Sequence, residues 1–271
     1  MKKTIFITGS STGIGKTTAI YFAKQGWHVA ATMRNPEKEL ELKVFENIKC
    51  YALDVLDEES IKKAFDLVLA DFGVIDVLVN NAGYAALGPF EAATKSQIEK
   101  QFDTNVIGLM SVCQTFIPYF RERRNGMIIN IASVGGRMTF PLYSLYHGTK
   151  WAVEGFSESL SFELKPFNVK VKLIEPGAIK TDFYDRSPDL LQKKGLNVYD
   201  KYVDKISANF LKAAASAPGP EVVAQTIWKA ANSNNFKLRY VVGSGAPFFL
   251  FLRRILPDVW FMGLVRWVLN R

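Results

Sequence analysis

The sequence predicts an α/β chain built on a doubly wound parallel sheet, and three observations carry that prediction. Short apolar runs alternate with helix-compatible stretches along residues 3–177, the pattern of strand–helix–strand units. A glycine-rich turn, Gly9-Ser10-Ser11-Thr12-Gly13-Ile14-Gly15, separates the first apolar run from the first helix. The chemically suggestive residues fall at strand ends or just beyond, where open parallel sheets bind their ligands.

Taken in order, residues 3–8 form the first strand. Met1-Lys2-Lys3 ahead of it imitates a signal peptide, but the apolar run stops at Thr8-Gly9, too short for a signal core. A helix over 16–24 closes at Gly26, and 27–33 is a second strand. Such an opening is the context a dinucleotide site requires, because small residues admit a pyrophosphate and a helix N-terminus offers it free N–H groups. Strand 48–53 ends in Asp54, and an amphipathic helix over 58–72 closes at Gly73. Strand 75–79 runs into Asn80-Asn81-Ala82-Gly83, and a long helix over 96–123 ends at the Asn125-Gly126 turn. Strand 127–132 leads to Ser133, helix 143–164 follows, and strand 168–174 ends at Glu175-Pro176-Gly177. The pattern then loosens: 181–215 is helical and mixed, Ala217-Pro218-Gly219-Pro220 is a turn, 221–231 a helix and 238–242 a last strand.

The apolar clusters at 248–252 and 259–269 are broken by Arg253, Arg254, Pro257 and Arg266. Neither approaches the ~18–20 apolar residues that span a bilayer. We therefore expect one domain over residues 1–243, with a substrate-loop region at about 178–220, and a helical, basic, apolar extension over 244–271.

A chain of 271 residues, 48% hydrophobic, has room for a large core. Cys50 and Cys113 are too few for a disulfide framework or a zinc site, which predicts no metal and a reducing, cytoplasmic setting. The net charge of +8 suits nucleic acid, an anionic membrane or a polyanionic cofactor. Six basic residues over 236–271 face only Asp258. The remainder is mildly basic and carries no zinc finger or basic repeat, which argues against nucleic acid.

Tyr146 and Lys150 stand four residues apart on the predicted helix, one above the other on the same face. A phenol is a poor base at neutral pH, and an ammonium one turn away favours the phenolate. A second pattern competes for the first turn: Gly13-Ile14-Gly15-Lys16-Thr17 resembles the end of a phosphate-binding P-loop. That motif needs its first glycine where Ser10 stands.

In order and spacing, residues 3–182 resemble the short-chain dehydrogenase/reductase family. The resemblance rests on Thr8-Gly9-x-x-x-Gly13-Ile14-Gly15, Asn80-Asn81-Ala82-Gly83, Asn105, Ser133, Tyr146-x-x-x-Lys150, Pro176-Gly177 and Thr181. It implies a Rossmann-type sheet and a hydride transfer between a nicotinamide and an alcohol or carbonyl carbon. By the same resemblance Tyr146 exchanges a proton with the substrate oxygen. Lys150 lowers the tyrosine pKa and bonds the nicotinamide ribose, Ser133 bonds the substrate oxygen, and Asn105 holds a water in a proton relay. Gly9, Ser11, Gly13, Ile14 and Gly15 would cradle the pyrophosphate and adenosine ribose. Asp54 and Val55 would meet the adenine, Asn81 and Ala82 the adenosine ribose, and Pro176, Gly177, Ile179 and Thr181 the nicotinamide.

Cofactor preference turns on the end of the second strand, where NAD enzymes of this type place a carboxylate. Here Ala31-Thr32-Met33-Arg34-Asn35 has no carboxylate before Glu37, and the Arg34 guanidinium suits the 2′-phosphate of NADP(H). His28 and His147 read as structural. Tyr84, Leu87, Phe140, Leu142, Tyr143, Phe183 and Tyr184 fall near the expected pocket, which favours a small hydrophobic alcohol or ketone, secondary or primary, as substrate. Two other readings remain: a non-catalytic NADP-binding regulator and a P-loop nucleotide hydrolase. The tail reads as a lid or contact surface packing on the same domain, with a second subunit in a homo-oligomer and peripheral contact with a membrane as the alternatives.

Overall fold

The computed structural model describes residues 2–181 and 188–270. Its strands are β1 (Thr4–Ile7), β2 (His28–Met33), β3 (Ile48–Ala52), β4 (Val77–Asn80), β5 (Ala85–Leu87), β6 (Gly126–Ile131), β7 (Val169–Pro176), β8 (Pro188–Leu190) and β9 (Arg239–Val242). Its longer helices are α1 (Gly13–Lys24), α2 (Glu58–Phe72), α3 (Lys95–Phe102), α4 (Gly108–Arg123), α5 (Ser144–Leu164), α6 (Asp200–Ala215), α7 (Glu221–Ala231), α8 (Ala246–Ile255) and α9 (Asp258–Asn270).

Seven strands make one parallel sheet in the order β3-β2-β1-β4-β6-β7-β9, while β5 and β8 pair apart from it. The expected doubly wound architecture is present. Strand side chains alternate between two cores, as the two-residue period requires. Phe6, Leu78, Ile128 and Leu173 pack with residues of α2, α4 and α5 on one face. Ile5, Ile7, Val77, Val79 and Ile129 pack with α1 and α7 on the other. With both faces covered, the strands read as continuous apolar runs. The chain leaves β1 toward β2 and β3, then crosses back to β4 beside β1, which opens a crevice at the carboxyl ends of β1 and β4.

β7 shows how burial overrides pattern. Lys170 and Lys172 alternate with apolar residues as in a half-exposed strand, yet the whole strand is buried. Lys172 donates to the carbonyls of Ala230 (2.7 Å) and Ser233 (2.6 Å). The ammonium thus sits at the C-terminal end of α7, where a helix dipole favours a cation.

Two expectations need correction. The helix expected over 96–123 is interrupted: α3 and α4 are joined by a π-helical turn at Asp103–Ile107. Asn105 lies in that turn, drawn onto the backbone of Tyr84, and Gly108 starts α4 where a Cβ would meet Val55 Cγ2 at 2.8 Å. Wide turns of this kind concentrate at functional sites. The stretch expected to be helical and mixed over 181–215 instead holds β8, which pairs in parallel with β5, before α6 begins at Asp200.

The extension is helical, broken at Leu256-Pro257 between α8 and α9, where proline disfavours helix in the residue before it. Ala246, Leu250 and Phe261 are buried in a cluster with Val134 and Met138, against which Phe249, Leu252 and Val265 pack. Among the described residues no helix is long and apolar enough to cross a membrane.

Candidate active site

The glycine-rich turn lies in the crevice at the switch point. Thr8 Oγ1 accepts from the N–H groups of Asn81 (3.0 Å) and Ala82 (3.1 Å), and Asn81 Nδ2 donates to the carbonyls of Thr8 and Gly9 (3.0 and 2.9 Å). These bonds clamp the turn after β1 to the turn after β4. A Cβ on Gly15 would stand 2.4 Å from the Gly9 oxygen and 2.5 Å from Asn81 Nδ2, so only glycine fits. Gly9 has φ +66°, and its Cβ would meet the Ala82 Cα at 2.8 Å. The first turn of α1 has no acidic residue, and its N-cap residue Thr12 makes no side-chain capping bond. Open N–H groups at a glycine-tight helix start form a cradle for an anion.

Lys16 turns away from that cradle, forming ion pairs with Glu39 (3.3 Å) and Glu41 (3.0 Å). A P-loop lysine would have to reach phosphate. Arg34, just past β2, is exposed, lines the cavity and forms no ion pair with a described residue. Asp54 is half-buried and accepts from the Leu56 N–H at 3.0 Å.

Helix α5 carries Tyr146 and Lys150 on the face toward the crevice. Tyr146 is half-buried, with its ring 6.0 Å from Tyr143 and the Lys150 ammonium 5.7 Å from its centre. Lys150 Nζ donates to the Ile131 carbonyl at 2.7 Å. Burial draws its pKa down to about 8, against the opposing charge of Glu154. Ser133 Oγ accepts from the Gly135 N–H (3.0 Å) and donates to the Pro176 carbonyl (3.3 Å). Asn105 Nδ2 donates to Tyr84 O (2.9 Å) and Thr149 Oγ1 (3.1 Å), and its Oδ1 accepts from the Tyr84 N–H (3.1 Å). Asn105 therefore fastens the β4 turn to α5 between Tyr146 and Lys150.

Two buried groups fix the frame. His147 Nε2 accepts from the Phe140 N–H at 2.9 Å, which leaves Nδ1 to donate to Gly135 O, also at 2.9 Å. Burial lowers its pKa to about 4, so a neutral imidazole ties the loop after Ser133 to α5. His28 stacks on Phe72 at 4.8 Å. Behind Lys150, Arg239 Nε lies 2.9 Å from Glu154 Oε2 and 3.3 Å from Glu175 Oε1, while Arg137 Nη1 lies 3.0 Å from Glu175 Oε2. This ion cluster joins the three segments that carry Ser133, Lys150 and Pro176. Burial first, and the Glu175 charge second, raise Glu154 to about 7.

Gly9, Ser11, Gly13, Ile14, Arg34, Asp54, Val55, Asn81, Ala82, Ser133, Tyr146, Lys150, Pro176, Gly177, Ile179 and Thr181 all line one cavity of about 950 Å³. Gly15 and Asn105 stand just behind its wall. Tyr84, Phe140 and Tyr143 also line it, whereas Leu87 and Leu142 do not. Leu87 is taken up by the pairing of β5 with β8, and Leu142 sits at φ +67° in a turn that accepts the Gly88 N–H. Phe183 and Tyr184 lie outside the described residues. Sequence reasoning missed Phe210 of α6 and Phe249, Val265, Val268 and Leu269 of the tail, which wall the far end. The apolar surplus of the tail is the signal for the last four; Phe210 has none.

A parallel sheet with an anion cradle at its switch point, facing a helix that bears tyrosine and lysine one turn apart, defines an oxidoreductase of the dinucleotide-binding class. The family model for the short chain dehydrogenases matches residues 3–189, and the chain belongs to that family. It is 40% identical over 234 residues to an uncharacterized oxidoreductase of Schizosaccharomyces pombe (strain 972), covering 86% of this chain and 98% of that one. It is 39% identical over 181 residues to the 3-ketodihydrosphingosine reductase of Bacteroides thetaiotaomicron, covering 67% of this chain and 65% of that one. The solved structure of ElxO with NADP bound superposes with a TM-score of 0.77 at 30% identity, over 92% of this chain and 100% of that one.

Proposed function

We propose that the protein is an NADP(H)-dependent oxidoreductase that interconverts a ketone and a secondary alcohol, or an aldehyde and a primary alcohol, on a hydrophobic substrate. One observation carries the reading: Tyr146, Lys150 and Ser133 line the same cavity as the cofactor cradle. The residues fit the cofactor, since Gly9 and Gly13 line the cavity at positive φ without side chains and the α1 N-terminus is open. Gly9, Ser11, Gly13, Ile14 and Gly15 would hold its phosphates, Arg34 its 2′-phosphate, Asp54 and Val55 its adenine, Asn81 and Ala82 the adenosine ribose. Pro176, Gly177, Ile179 and Thr181 would border the nicotinamide. When bound, the nicotinamide supplies hydride chemistry.

Tyr146 gives its phenolic proton to the carbonyl oxygen in reduction and takes it back in oxidation. The Lys150 ammonium favours the phenolate and bonds the ribose. Ser133 turns its hydroxyl to the substrate oxygen, giving up its long 3.3 Å bond to Pro176, which costs little. Asn105 holds the α5 backbone in register and anchors a proton-relay water. Phe140, Tyr143, Phe210 and Phe249 on the cavity wall favour an apolar skeleton over a sugar. The Bacteroides relative is named as a reductase of a 3-keto compound, which agrees with the carbonyl-reduction reading.

A nicotinamide-absorbance assay over hydrophobic ketones and alcohols with both cofactors tests this. Turnover with NADPH supports it. Tight NADPH binding without turnover of any of them would favour the regulator, and ATP hydrolysis by pure protein the P-loop alternative. Lys16 in its paired state argues against the latter.

A further inference from the structure

We propose that the outer face of the α8–α9 hairpin docks on an anionic lipid surface. The observation behind it is an apolar surplus that the fold does not bury. At about 100° per residue, Val259, Trp260, Met262 and Arg266 share one arc of roughly 160° on α9. Phe261, Leu264, Val265 and Val268 fall on the opposite arc. The inner arc is used: Phe261 is buried with Leu250, and Val265 and Val268 line the cavity. The outer arc is not: Val259 is 80% exposed and Trp260 67%. α8 repeats the division. Ala246 and Leu250 are buried, while Phe248 (59%), Phe251 (58%) and Ile255 face outward at i, i+3 and i+7. Because both inner faces pack into one cluster, both outer faces turn away from the body.

Charge decides what covers this face. Arg254 and Arg266 are exposed on the hairpin, and its one carboxylate, Asp258, is paired with Arg253. A second copy seated there would bring cationic faces of a +8 chain together. An anionic bilayer would neutralise them and receive Trp260 at the headgroup level, the pattern of helices that lie in an interface. The same hairpin forms the cavity wall on its inner side, so a docked enzyme can take a membrane-dissolved substrate without releasing it into water. Docking rests on the tail alone; this delivery step rests on the hydrophobic-substrate reading above.

The test is vesicle flotation of the full chain, with phosphatidylcholine alone and with added phosphatidylglycerol. The wild type floats with the anionic vesicles and is released by high salt. Val259→Glu/Trp260→Glu and Arg254→Glu/Arg266→Glu, all at exposed positions outside the cavity, each weaken vesicle affinity by at least about thirtyfold. Both keep the wild-type melting temperature and turnover of a water-soluble ketone, but lose turnover of a vesicle-embedded one. Absence of wild-type flotation, or variants that float like wild type, overturns the proposal. A wild-type dimer in sedimentation that Val259→Glu/Trp260→Glu dissociates would give the face to a second copy and also overturn it. Docking without turnover of any ketone would leave the docking standing and remove the proposed function.

Discussion

Replacing Gly9 by alanine tests how closely the cofactor turn is built against the β4 turn, and Gly26→Ala provides the matched control. Both glycines have positive φ, +66° and +81°, so each alanine carries the left-handed backbone penalty, about 1–2 kcal/mol. At Gly26 the new methyl meets nothing within 4 Å. At Gly9 it stands 2.8 Å from the Ala82 Cα and 3.1 Å from its nitrogen. Backbone cannot yield as a flexible side chain does, so overpacking adds about 1–3 kcal/mol. For a chain of 271 residues, 1 kcal/mol shifts the melting temperature by about 2 °C. Gly26→Ala should therefore melt about 2–4 °C below wild type and bind cofactor normally. Gly9→Ala should melt about 4–10 °C lower. It should also bind cofactor at least tenfold more weakly, because the displaced turn is the proposed phosphate cradle. Thermal denaturation and fluorescence titration with NADPH read both effects. Equal losses in the two variants, or a Gly9→Ala protein that binds cofactor like wild type, would refute the close-approach argument.

Arg34→Ala should lower NADPH affinity by about 10- to 150-fold and leave NADH affinity unchanged; equal wild-type affinities for the two cofactors would remove the assignment. Glu154→Gln should flatten the pH dependence of stability. With a folded pKa of about 7 against an ordinary 4.5, the wild type binds its proton more tightly when folded. It therefore loses stability as pH rises from 4.5 through 7, on the order of 3 kcal/mol in all. Melting curves taken from pH 5 to 7.5 should converge at the acid end, whereas parallel curves for the two proteins would contradict the buried-carboxylate account.

Much of this architecture is legible in the sequence because burial on both faces writes strands as plain apolar runs. β1, β4 and β6 are found for that reason, and α2 by its amphipathic period and Gly73 stop. The glycine turn is legible because close approach excludes every other residue there. What escapes depends on contacts distant in sequence. The π turn at Asn105 exists because its side chain is drawn to Tyr84 O and Thr149 Oγ1, and no local pattern encodes that pull. β8 is a three-residue strand that forms only against β5. The ion cluster is likewise hidden, since Arg137, Glu154, Glu175 and Arg239 meet only when four elements converge. The tail residues on the cavity wall were visible as an apolar excess, but the sequence could not tell which arc faces in.

The proposed proton-transfer role of Tyr146 is tested most directly by Tyr146→Phe, which removes one oxygen and leaves the ring contacts with Tyr143 and His147. Pre-steady-state turnover and NADPH titration should be measured on the same preparation. The account predicts a rate lower by about 10²–10⁴ with cofactor affinity within a few-fold of wild type, whereas Lys150→Ala impairs both. A Tyr146→Phe enzyme that keeps more than about a tenth of the wild-type rate would contradict it.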